Sequence, residues 1–377
     1  MRLGVRRETA DRERRVALVP AGIEKLDGVD VVVERGAGDA AGWSDETYLK
    51  AGATVGDAAD VAGCDIVVGV GPIDDGAEGR PSGQWRIALF DPLWSPQGVL
   101  APAEAGATLF SLDLVPRTTK AQSMDVLSSM ATIAGYRAVL LGAARLPRLF
   151  PMLMTAAGTL APAKVLVLGA GVAGLQAIAT AKRLGAVVHA YDVRPAAAEQ
   201  IRSVGAKAIE EEAADTDTED AGGYAKAQTD DDATRQRALL GPFIEAADVV
   251  ITTAAIPGRA SPLLITADMV ATMGPGSVIV DLAAERGGNV EPSVADAEVD
   301  HEGVLVLGPT TLTSEAADHA SAMFSNNVVN LLTHLLEEAD GLAPNLEDEI
   351  TAGMLVAHEG AVVHERVRQA LEDRGGA

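Results

Sequence analysis

Short apolar runs recur along the chain, and segments with helical spacing of their apolar residues lie between them. This alternation is typical of βαβ units, in which crossover helices join parallel strands. The runs form two series, the first at Leu3–Val5, Val29–Val33, Ile66–Val70, Ile87–Phe90 and Thr108–Leu112, and the second at Lys164–Leu168, Val187–Tyr191, Ala206–Ile209, Val249–Thr253, Ser277–Asp281 and Val304–Leu307. Because two series of five or six strands exceed what one sheet ordinarily holds, we predict an α/β fold with two doubly wound domains.

Long helical patterns flank the second series of strands. Apolar spacing predicts helices over Ser123–Arg145 and Ser314–Glu338, and a final amphipathic helix over Glu359–Asp373. These helices can carry the chain back to the first domain, which would then be discontinuous. We therefore expect two Rossmann-like domains with a cleft between them. Their predicted extents are residues 1–127, completed by the C-terminal helices of 319–377, and residues 128–318.

The composition narrows the class of protein. The 377 residues include 54 acidic and 30 basic residues, a net charge of −24 that argues against binding nucleic acid, whose phosphates it would repel. Only 7 of the basic residues are Lys and the other 23 are Arg, which favours a halophilic source over an ordinary acidic cytosolic protein. The one cysteine, Cys64, cannot form an internal disulfide, and no signal peptide or membrane-length apolar run is found. We therefore expect a reducing, cytoplasmic location.

The strongest local motif is a glycine-rich turn. Gly169, Gly171 and Gly174 form G-x-G-x-x-G directly after a predicted strand and before a predicted helix. In this context the glycines permit a tight turn, close approach of a pyrophosphate and close packing of helix on sheet. Asp192 ends the next strand, where a carboxylate accepts ribose hydroxyls and repels a 2′-phosphate, so the motif predicts NAD rather than NADP. Arg194 keeps NADP open as the alternative, because a guanidinium can hold that phosphate.

A second polar cluster lies in the segment 116–129. It combines a cation, an amide, a carboxylate and a hydroxyl, namely Arg117, Gln122, Asp125 and Ser128. Once helical, Gln122 and Asp125 would share one face, as would Asp125 and Ser128. From the residues alone, this segment can equally be a helix start capped by Ser123 or Thr118.

An acidic segment and two histidines are open to functional and to structural interpretations. The segment 210–232 contains ten acidic residues between a strand and a helix, and a loop of this length is either functional or a solvated insertion. His358 and His364 are six residues apart rather than four, so they would not share a helix face as zinc ligands do. We therefore expect no metal site, and the absence of a Gly-Lys dipeptide excludes a Walker P-loop.

The motifs, their order and their spacing resemble the NAD(H)-binding component of proton-translocating NAD(P) transhydrogenase. The resemblance spans nearly the whole chain and is carried by the segments RRETADRERRVALVPAGIEKL, PRTTKAQSMDVLSSMATIAGYRAV, KVLVLGAGVAGLQAIATAKRLGA, YDVRP, GGYAK, ITTAAIPGRASPLLIT and GSVIVDLAAERGGN. It implies an NAD(H)-binding chain that works with an NADP(H)-binding subunit and a membrane-spanning subunit. Hydride would pass directly between the two nicotinamides, coupled to proton movement. A homodimer, peripheral to the cytoplasmic membrane through its partners, is also implied.

The resemblance also implies roles for individual residues. Gln122 would bridge toward the partner nucleotide, while Arg117, Asp125 and Ser128 would hold the carboxamide and adjacent ribose. Tyr224 would lie in a mobile loop that closes over bound nucleotide. The expected nucleotide contacts are Gly169, Ala170, Gly171, Val172, Gly174, Asp192, Val193, Arg194, Tyr224, Thr253 and Ala254.

Two other functions are possible for such a fold. Alanine dehydrogenase shares it, but that enzyme needs a lysine and a general-acid histidine in its first domain. The equivalent stretches, Asp65–Pro72 and Ala88–Pro96, contain neither residue type, and Gly69 stands about where the lysine would be. Imine chemistry on an amino acid is therefore not supported. The second alternative is a non-catalytic NAD(H)-sensing protein.

Overall fold

The chain divides into two compact units, each built around a sheet of its own. The computed structural model describes residues 1–73, 80–81, 83–210, 230–339 and 341–375. The first unit comprises Met1–Met130 and Thr313–Ala377, and the second comprises Ala131–Leu312. Both units are mixed α/β structures in which a mostly parallel sheet is flanked by helices.

The elements are numbered in chain order. The strands are β1 (Arg2–Val5), β2 (Asp30–Glu34), β3 (Thr54–Gly56), β4 (Ile66–Val68), β5 (Trp85–Ala88), β6 (Thr108–Ser111), β7 (Leu153–Thr155), β8 (Gly158–Leu160), β9 (Lys164–Leu168), β10 (Val187–Tyr191), β11 (Lys207–Ala208), β12 (Val249–Thr252), β13 (Val278–Asp281), β14 (Glu298–His301), β15 (Val304–Leu307), β16 (Leu355–His358) and β17 (Ala361–Val362). The α-helices are α1 (Pro20–Ile23), α2 (Asp45–Lys50), α3 (Ala58–Ala62), α4 (Leu100–Glu104), α5 (Val126–Arg145), α6 (Val172–Arg183), α7 (Ala197–Ser203), α8 (Asp230–Glu245), α9 (Ala267–Ala271), α10 (Ala317–Glu338), α11 (Glu349–Met354) and α12 (Glu365–Gly375). Short 3₁₀ turns occur at Asp39–Ala41, Pro96–Val99, Leu112–Leu114, Gln122–Met124, Ala284–Arg286 and Ser314–Ala316.

The first unit is built on an eight-stranded sheet with the order β17-β16-β6-β5-β4-β1-β2-β3. Strands β1 to β6 pair in parallel, and β16 adds to β6 in the antiparallel sense. Every residue of β4, β5 and β6 is buried, as expected for central strands covered on both faces. Trp85 and Phe110 stack edge to face in this core, with their ring centroids 4.9 Å apart.

The second unit has a seven-stranded sheet with the order β11-β10-β9-β12-β13-β15-β14. From β9 the chain first builds outward through β10 and β11, and then crosses back to place β12 on the other side of β9. The strand order therefore reverses between β9 and β12. In open α/β sheets, ligands bind outside the carboxyl ends of the strands at such a reversal point. Two apolar cores cover the two faces of the sheet and bury β9 between them.

Helix α5 is long and apolar. Its 20 residues, with a mean hydropathy of 1.4 over the most apolar window, make it the one helix in the described ranges that could cross a membrane by length and composition. Soluble core helices meet the same criterion, and Ala138 and Val139 are fully buried in the core of the second unit. A Cβ on Gly135 would lie 2.1 Å from the carbonyl oxygen of Ala173, so α5 packs directly on the backbone of α6.

A separate two-stranded hairpin, β7–β8, lies between α5 and β9 in the chain. All six of its strand residues are exposed, and Met154 is 76% exposed. The run from Leu149 to Ala163 contains no charged residue. An isolated two-stranded hairpin is marginal in water, so this apolar hairpin is unusual in so acidic a chain.

The prediction of two Rossmann-like α/β domains is confirmed, but several elements differ from the sequence patterns. The helix predicted over Glu359–Asp373 is wrong in its first part, because β16 and β17 form an antiparallel hairpin and α12 begins only at Glu365. Helix α5 begins at Val126 rather than Ser123. Strand β14 was not predicted, because its sequence EVDH is polar, as edge strands often are.

Candidate functional site

The glycine turn after β9 is held by contacts that exclude larger residues. Gly169 has a φ of +94°, in the left-handed region that favours glycine. A Cβ on Gly174 would lie 1.9 Å from the carbonyl oxygen of Gly169, a distance that real side chains do not adopt. These two glycines therefore have structural roles: one makes the turn, and the other lets α6 pack on it.

Gly171 differs from the other two glycines because the space beside it is open. A Cβ placed there would meet no heavy atom of the described residues within 4 Å. Gly171 is also the N-cap residue of α6, and no side chain caps the helix in this part of the structure. The first N–H groups of a helix lack intrahelical partners and carry partial positive charge, so they bind anions such as phosphate. Gly171 thus leaves an approach to an unpaired helix N-terminus.

Asp192 fastens the glycine turn to the end of β10. Its Oδ2 accepts a hydrogen bond of 2.7 Å from the backbone N–H of Ala170. Its two oxygens also bind the guanidinium of Arg194, with 2.9 Å from Nε to Oδ1 and 3.1 Å from Nη2 to Oδ2. From the sequence, Asp192 would repel a 2′-phosphate and Arg194 would bind one. In the structure these two side chains are paired with each other.

A cavity adjoins this pair of side chains. It has a volume of about 80 Å³ and is lined by Tyr191, Asp192, Val193, Arg194, Pro195, Ala198, Ile201, Ile209 and Glu210. This volume is smaller than that of a typical small-molecule site, and the lining mixes apolar side chains with a few polar groups.

The loop after β12 packs against the glycine turn from the other side. The backbone N–H of Thr253 donates to the carbonyl of Leu168 at 2.8 Å, and its Oγ1 lies 3.2 Å from the carbonyl oxygen of Gly169. Ala254 follows and is bound by the side chain of Asn289. The structure therefore brings the predicted residues of β9, β10 and β12 together at the carboxyl ends of their strands.

Sequence reasoning did not single out Asp281 and Asn289 as part of this site. Both are fully buried near the end of β13. An acid that ends a buried strand, followed by Gly-Gly-Asn, was the available signal. The resemblance includes this segment, but it implied no role for either residue.

The polar cluster of residues 117–128 lies in the first unit. Asp125 is the cap of α5: its Oδ1 accepts from the N–H of Ser128 at 2.9 Å, and its Oδ2 accepts from the Ser128 hydroxyl at 2.6 Å. The segment is thus a capped helix start, as the residues alone allowed, but the cap is Asp125 rather than Ser123 or Thr118. Gln122 lies in a preceding 3₁₀ turn, so it does not share a helix face with Asp125. The side chains of Arg117 and Gln122 are exposed.

Helix α10 anchors the turn that carries Gln122. The side-chain amides of Asn327 and Asn330 donate to the carbonyl oxygen of Ser123, at 2.8 Å and 3.1 Å. These bonds fix the backbone beside Gln122 while its side chain stays exposed to solvent. Tyr224, the remaining predicted site residue, lies outside the described residues.

The carboxyl ends of β1 and β4 hold a buried acid. Glu8 accepts hydrogen bonds from the N–H groups of Val70 at 2.7 Å and Gly71 at 3.2 Å. Burial raises the pKa of Glu8, although the neighbouring Arg6 and the two N–H groups oppose the rise. A Cβ on Gly69 would lie 3.0 Å from Cδ of Arg6. The space beside Gly69 is therefore occupied by the side chains of Arg6 and Glu8.

Among the described residues, one group of metal-ligand residue types comes together, in the first unit. His334, Glu338 and Asp348 approach within 4.8 Å of one another. Nζ of Lys120 lies 3.7 Å from each carboxylate, and His334 bonds Asp348 at 2.8 Å. Although burial acts in the opposite sense, hydrogen bonds from Thr351 and His334 lower the pKa of Asp348 to about 2. A lysine already supplies positive charge here, so the group is best described as an ion-pair cluster.

Comparison with known proteins places this arrangement in a family. Residues 4–134 match the family description "Alanine dehydrogenase/PNT, N-terminal domain", and residues 138–365 match "Alanine dehydrogenase/PNT, C-terminal domain". The chain is 46% identical to the NAD(P) transhydrogenase subunit alpha of Cereibacter sphaeroides over 96% of this chain and 71% of that protein. It is 43% identical to an NAD(P) transhydrogenase subunit alpha polypeptide of Rhodospirillum rubrum, over 97% of this chain and 98% of that protein.

A solved structure agrees with these matches. The crystal structure of transhydrogenase from Sinorhizobium meliloti superposes with a TM-score of 0.86 at 45% identity, covering 96% of this chain and 100% of that one. The two domain matches together span most of the chain, and the identities hold over nearly its whole length. The chain therefore belongs to the alanine dehydrogenase/PNT family and, within it, to the NAD(P) transhydrogenase alpha subunits.

Proposed function

We propose that this chain is the NAD(H)-binding subunit of a proton-translocating NAD(P) transhydrogenase. Hydride passes between NAD(H) bound here and NADP(H) on a partner subunit, and a membrane-spanning subunit couples the transfer to proton movement. The observation that carries the proposal is the open, uncapped N-terminus of α6 at Gly171, with Asp192 at the end of the next strand. Family membership and the names of the relatives support it.

The chemistry of this reaction suits the residues present. Direct hydride transfer requires two nicotinamides held in contact with water excluded, and it requires no protein acid, base or metal. The protein's task is to bind and to orient. We propose that the second unit binds NAD(H) as substrate, and that Arg117, Gln122, Asp125 and Ser128 of the first unit orient the nicotinamide. The capping bonds of Asp125 and the anchored turn of Gln122 would give that loop a fixed shape.

An alanine-dehydrogenase activity has less support. At Gly69, where a dehydrogenase would place its lysine, the side chains of Arg6 and Glu8 occupy the adjoining space. NADH oxidation by the isolated chain with pyruvate and ammonia would favour that alternative. A non-catalytic NAD(H) sensor would bind NADH and yet transfer no hydride when mixed with the partner subunits.

The first test concerns the glycine turn. We expect Gly171→Ala to weaken NADH binding by about tenfold or more, because the added methyl group stands where a phosphate would approach the helix N-terminus. The melting temperature should not change, since the methyl group meets no heavy atom of the described residues within 4 Å. Fluorescence titration with NADH and thermal unfolding measure the two quantities.

Two glycine variants are matched controls for this test. Gly98→Ala also adds a methyl group to open space, but in the first unit, so NADH affinity should stay at the wild-type value. Gly174→Ala should unfold the site, because its methyl group would meet the carbonyl of Gly169. Wild-type affinity in Gly171→Ala would show that the nucleotide does not bind at this turn.

The second test concerns the choice between NADH and NADPH. We expect Asp192→Ser to shift the preference toward NADPH by about 10- to 100-fold, because it removes a repelling carboxylate and releases Arg194 from its bidentate pair. The ratio of the dissociation constants for NADH and NADPH measures the shift. In the double variant Asp192→Ser/Arg194→Ala the gain in NADPH affinity should disappear. A ratio that stays at the wild-type value would contradict the role given to Asp192.

The third test concerns hydride transfer itself. In a complex reconstituted with both partner subunits, Gln122→Asn should slow transfer from NADH to an NADP⁺ analogue by about 10- to 100-fold, because the shortened amide misplaces the nicotinamides. NADH affinity should fall little. Gln369→Asn, the same change at an exposed position on α12, is the matched control. Unchanged turnover in Gln122→Asn would contradict the role proposed for this residue, and a lack of transfer by the wild-type complex would contradict the proposed function.

We also propose that the chain is a homodimer joined through the hairpin β7–β8. Two copies that each carry a charge of −24 repel one another, so an uncharged, exposed apolar run is the face on which they can meet most easily. Met154→Asp should then convert dimer to monomer in sedimentation equilibrium. Val294→Asp, at another exposed apolar residue of the same unit, should not. A monomeric wild-type protein, or a dimeric Met154→Asp variant, would refute this arrangement.

A further inference from the structure

A buried side-chain amide lies behind the candidate nucleotide site. Asn289 is 0% exposed, and its Nδ2 donates to the carbonyl oxygens of Ala254 and Pro262, both at 2.8 Å. Its Oδ1 accepts from the N–H of Ala254 at 3.0 Å. The amide therefore bonds both backbone polar groups of Ala254, as a neighbouring β-strand would.

The backbone of Asn289 is fixed in turn by Asp281. Oδ2 of Asp281 accepts from the N–H of Asn289 at 3.0 Å, and Oδ1 accepts from the Thr252 hydroxyl at 2.8 Å and from the N–H of Ala283 at 3.0 Å. A Cβ on Gly288 would lie 2.7 Å from Asp281 Oδ2, so the chain comes close enough to make these bonds only because glycine is there. The ends of β12 and β13 are thereby tied to the position of one amide.

The bonds of Asn289 lead to the glycine turn through a single residue. Thr253 precedes Ala254, and its hydroxyl lies 3.2 Å from the carbonyl oxygen of Gly169. This hydroxyl packs so closely on Gly169 that a Cβ there would lie only 2.5 Å from it. Thr253 therefore has little room to move. A shift of Ala254 would therefore be transmitted to the turn that precedes α6.

We propose that Asn289 is a positioning residue for nucleotide binding. It holds Ala254, and through Thr253 it sets the shape of the glycine turn that would receive the pyrophosphate. This inference rests on the proposed function, because NADH is the ligand. Asparagine suits the position for a chemical reason: the bonds need two donors and one acceptor, whereas aspartate offers acceptors alone and would add a second charge beside Asp281.

The test separates nucleotide affinity from stability. Asn289→Asp and Asn289→Ser should each weaken NADH binding by about tenfold or more in fluorescence titrations of the full chain. The control Ser277→Ala also removes a buried hydrogen bond, from the Ser277 hydroxyl to the carbonyl of Ala247 at the opposite end of β13. It should lower the urea midpoint of unfolding yet keep the wild-type dissociation constant. NADH affinities for the Asn289 variants that fall no further than that of the control would overturn the inference.

A second measurement applies even if the Asn289 variants do not fold. In the wild-type chain, hydrogen exchange followed by NMR should show the Ala254 amide as protected without nucleotide, because its partner is the buried Asn289 side chain. Exchange at the rate of an exposed loop amide would overturn the inference. Wild-type protein that shows a protected Ala254 amide but does not bind NADH would overturn the proposed function, and this inference with it.

Discussion

The candidate nucleotide site depends on a backbone contact that only glycine permits. Helix α6 approaches the end of β9 so closely that a methyl group at Gly174 would overlap the carbonyl oxygen of Gly169. Strand β9 cannot yield, because its apolar residues are buried in the cores on both faces of the sheet. The contact therefore directs the unpaired first turn of α6 to the carboxyl edge of the sheet, at the point where the strand order reverses. The surrounding bonds of Asp192 and Thr253 preserve this geometry.

Buried acids in the second unit organise backbone rather than perform chemistry. Asp192 connects the turn after β9 to the end of β10, and Asp281 connects β12, β13 and the segment that leads to Asn289. Each carboxylate accepts several hydrogen bonds, which offsets the cost of removing a charge from water. Asp192 in addition bonds the guanidinium of Arg194. The same side chain therefore holds the glycine turn in place and pairs the positive charge beside it.

The strands and the glycine turn were predictable because their determinants are local. A short β-branched run buried on both faces is recognisable wherever it pairs, and the three glycines of the turn need only their own neighbours to be explained. The features that were missed depend on distant parts of the chain. Asn289 is 35 residues from the backbone it binds. Strand β14 has a polar sequence because it lies at a sheet edge, and α12 is shortened because its predicted first residues form part of the hairpin β16–β17, which joins the sheet at β6. A sequence pattern of a few residues does not reveal contacts with such distant parts of the chain.

The uncapped end of α6 also has an electrostatic consequence. It is a small, local positive potential within a chain whose net charge is −24. Salt affects the net charge of the chain and the helix end differently. Dissolved ions screen interactions between charges that are more than about 8 Å apart at physiological ionic strength. A phosphate in contact with the N–H groups of α6 lies well inside that distance. Salt therefore removes most of the repulsion that an approaching dinucleotide meets and leaves the contact attraction largely intact. Ionic strength would act mainly on the rate of encounter and much less on the lifetime of the bound state.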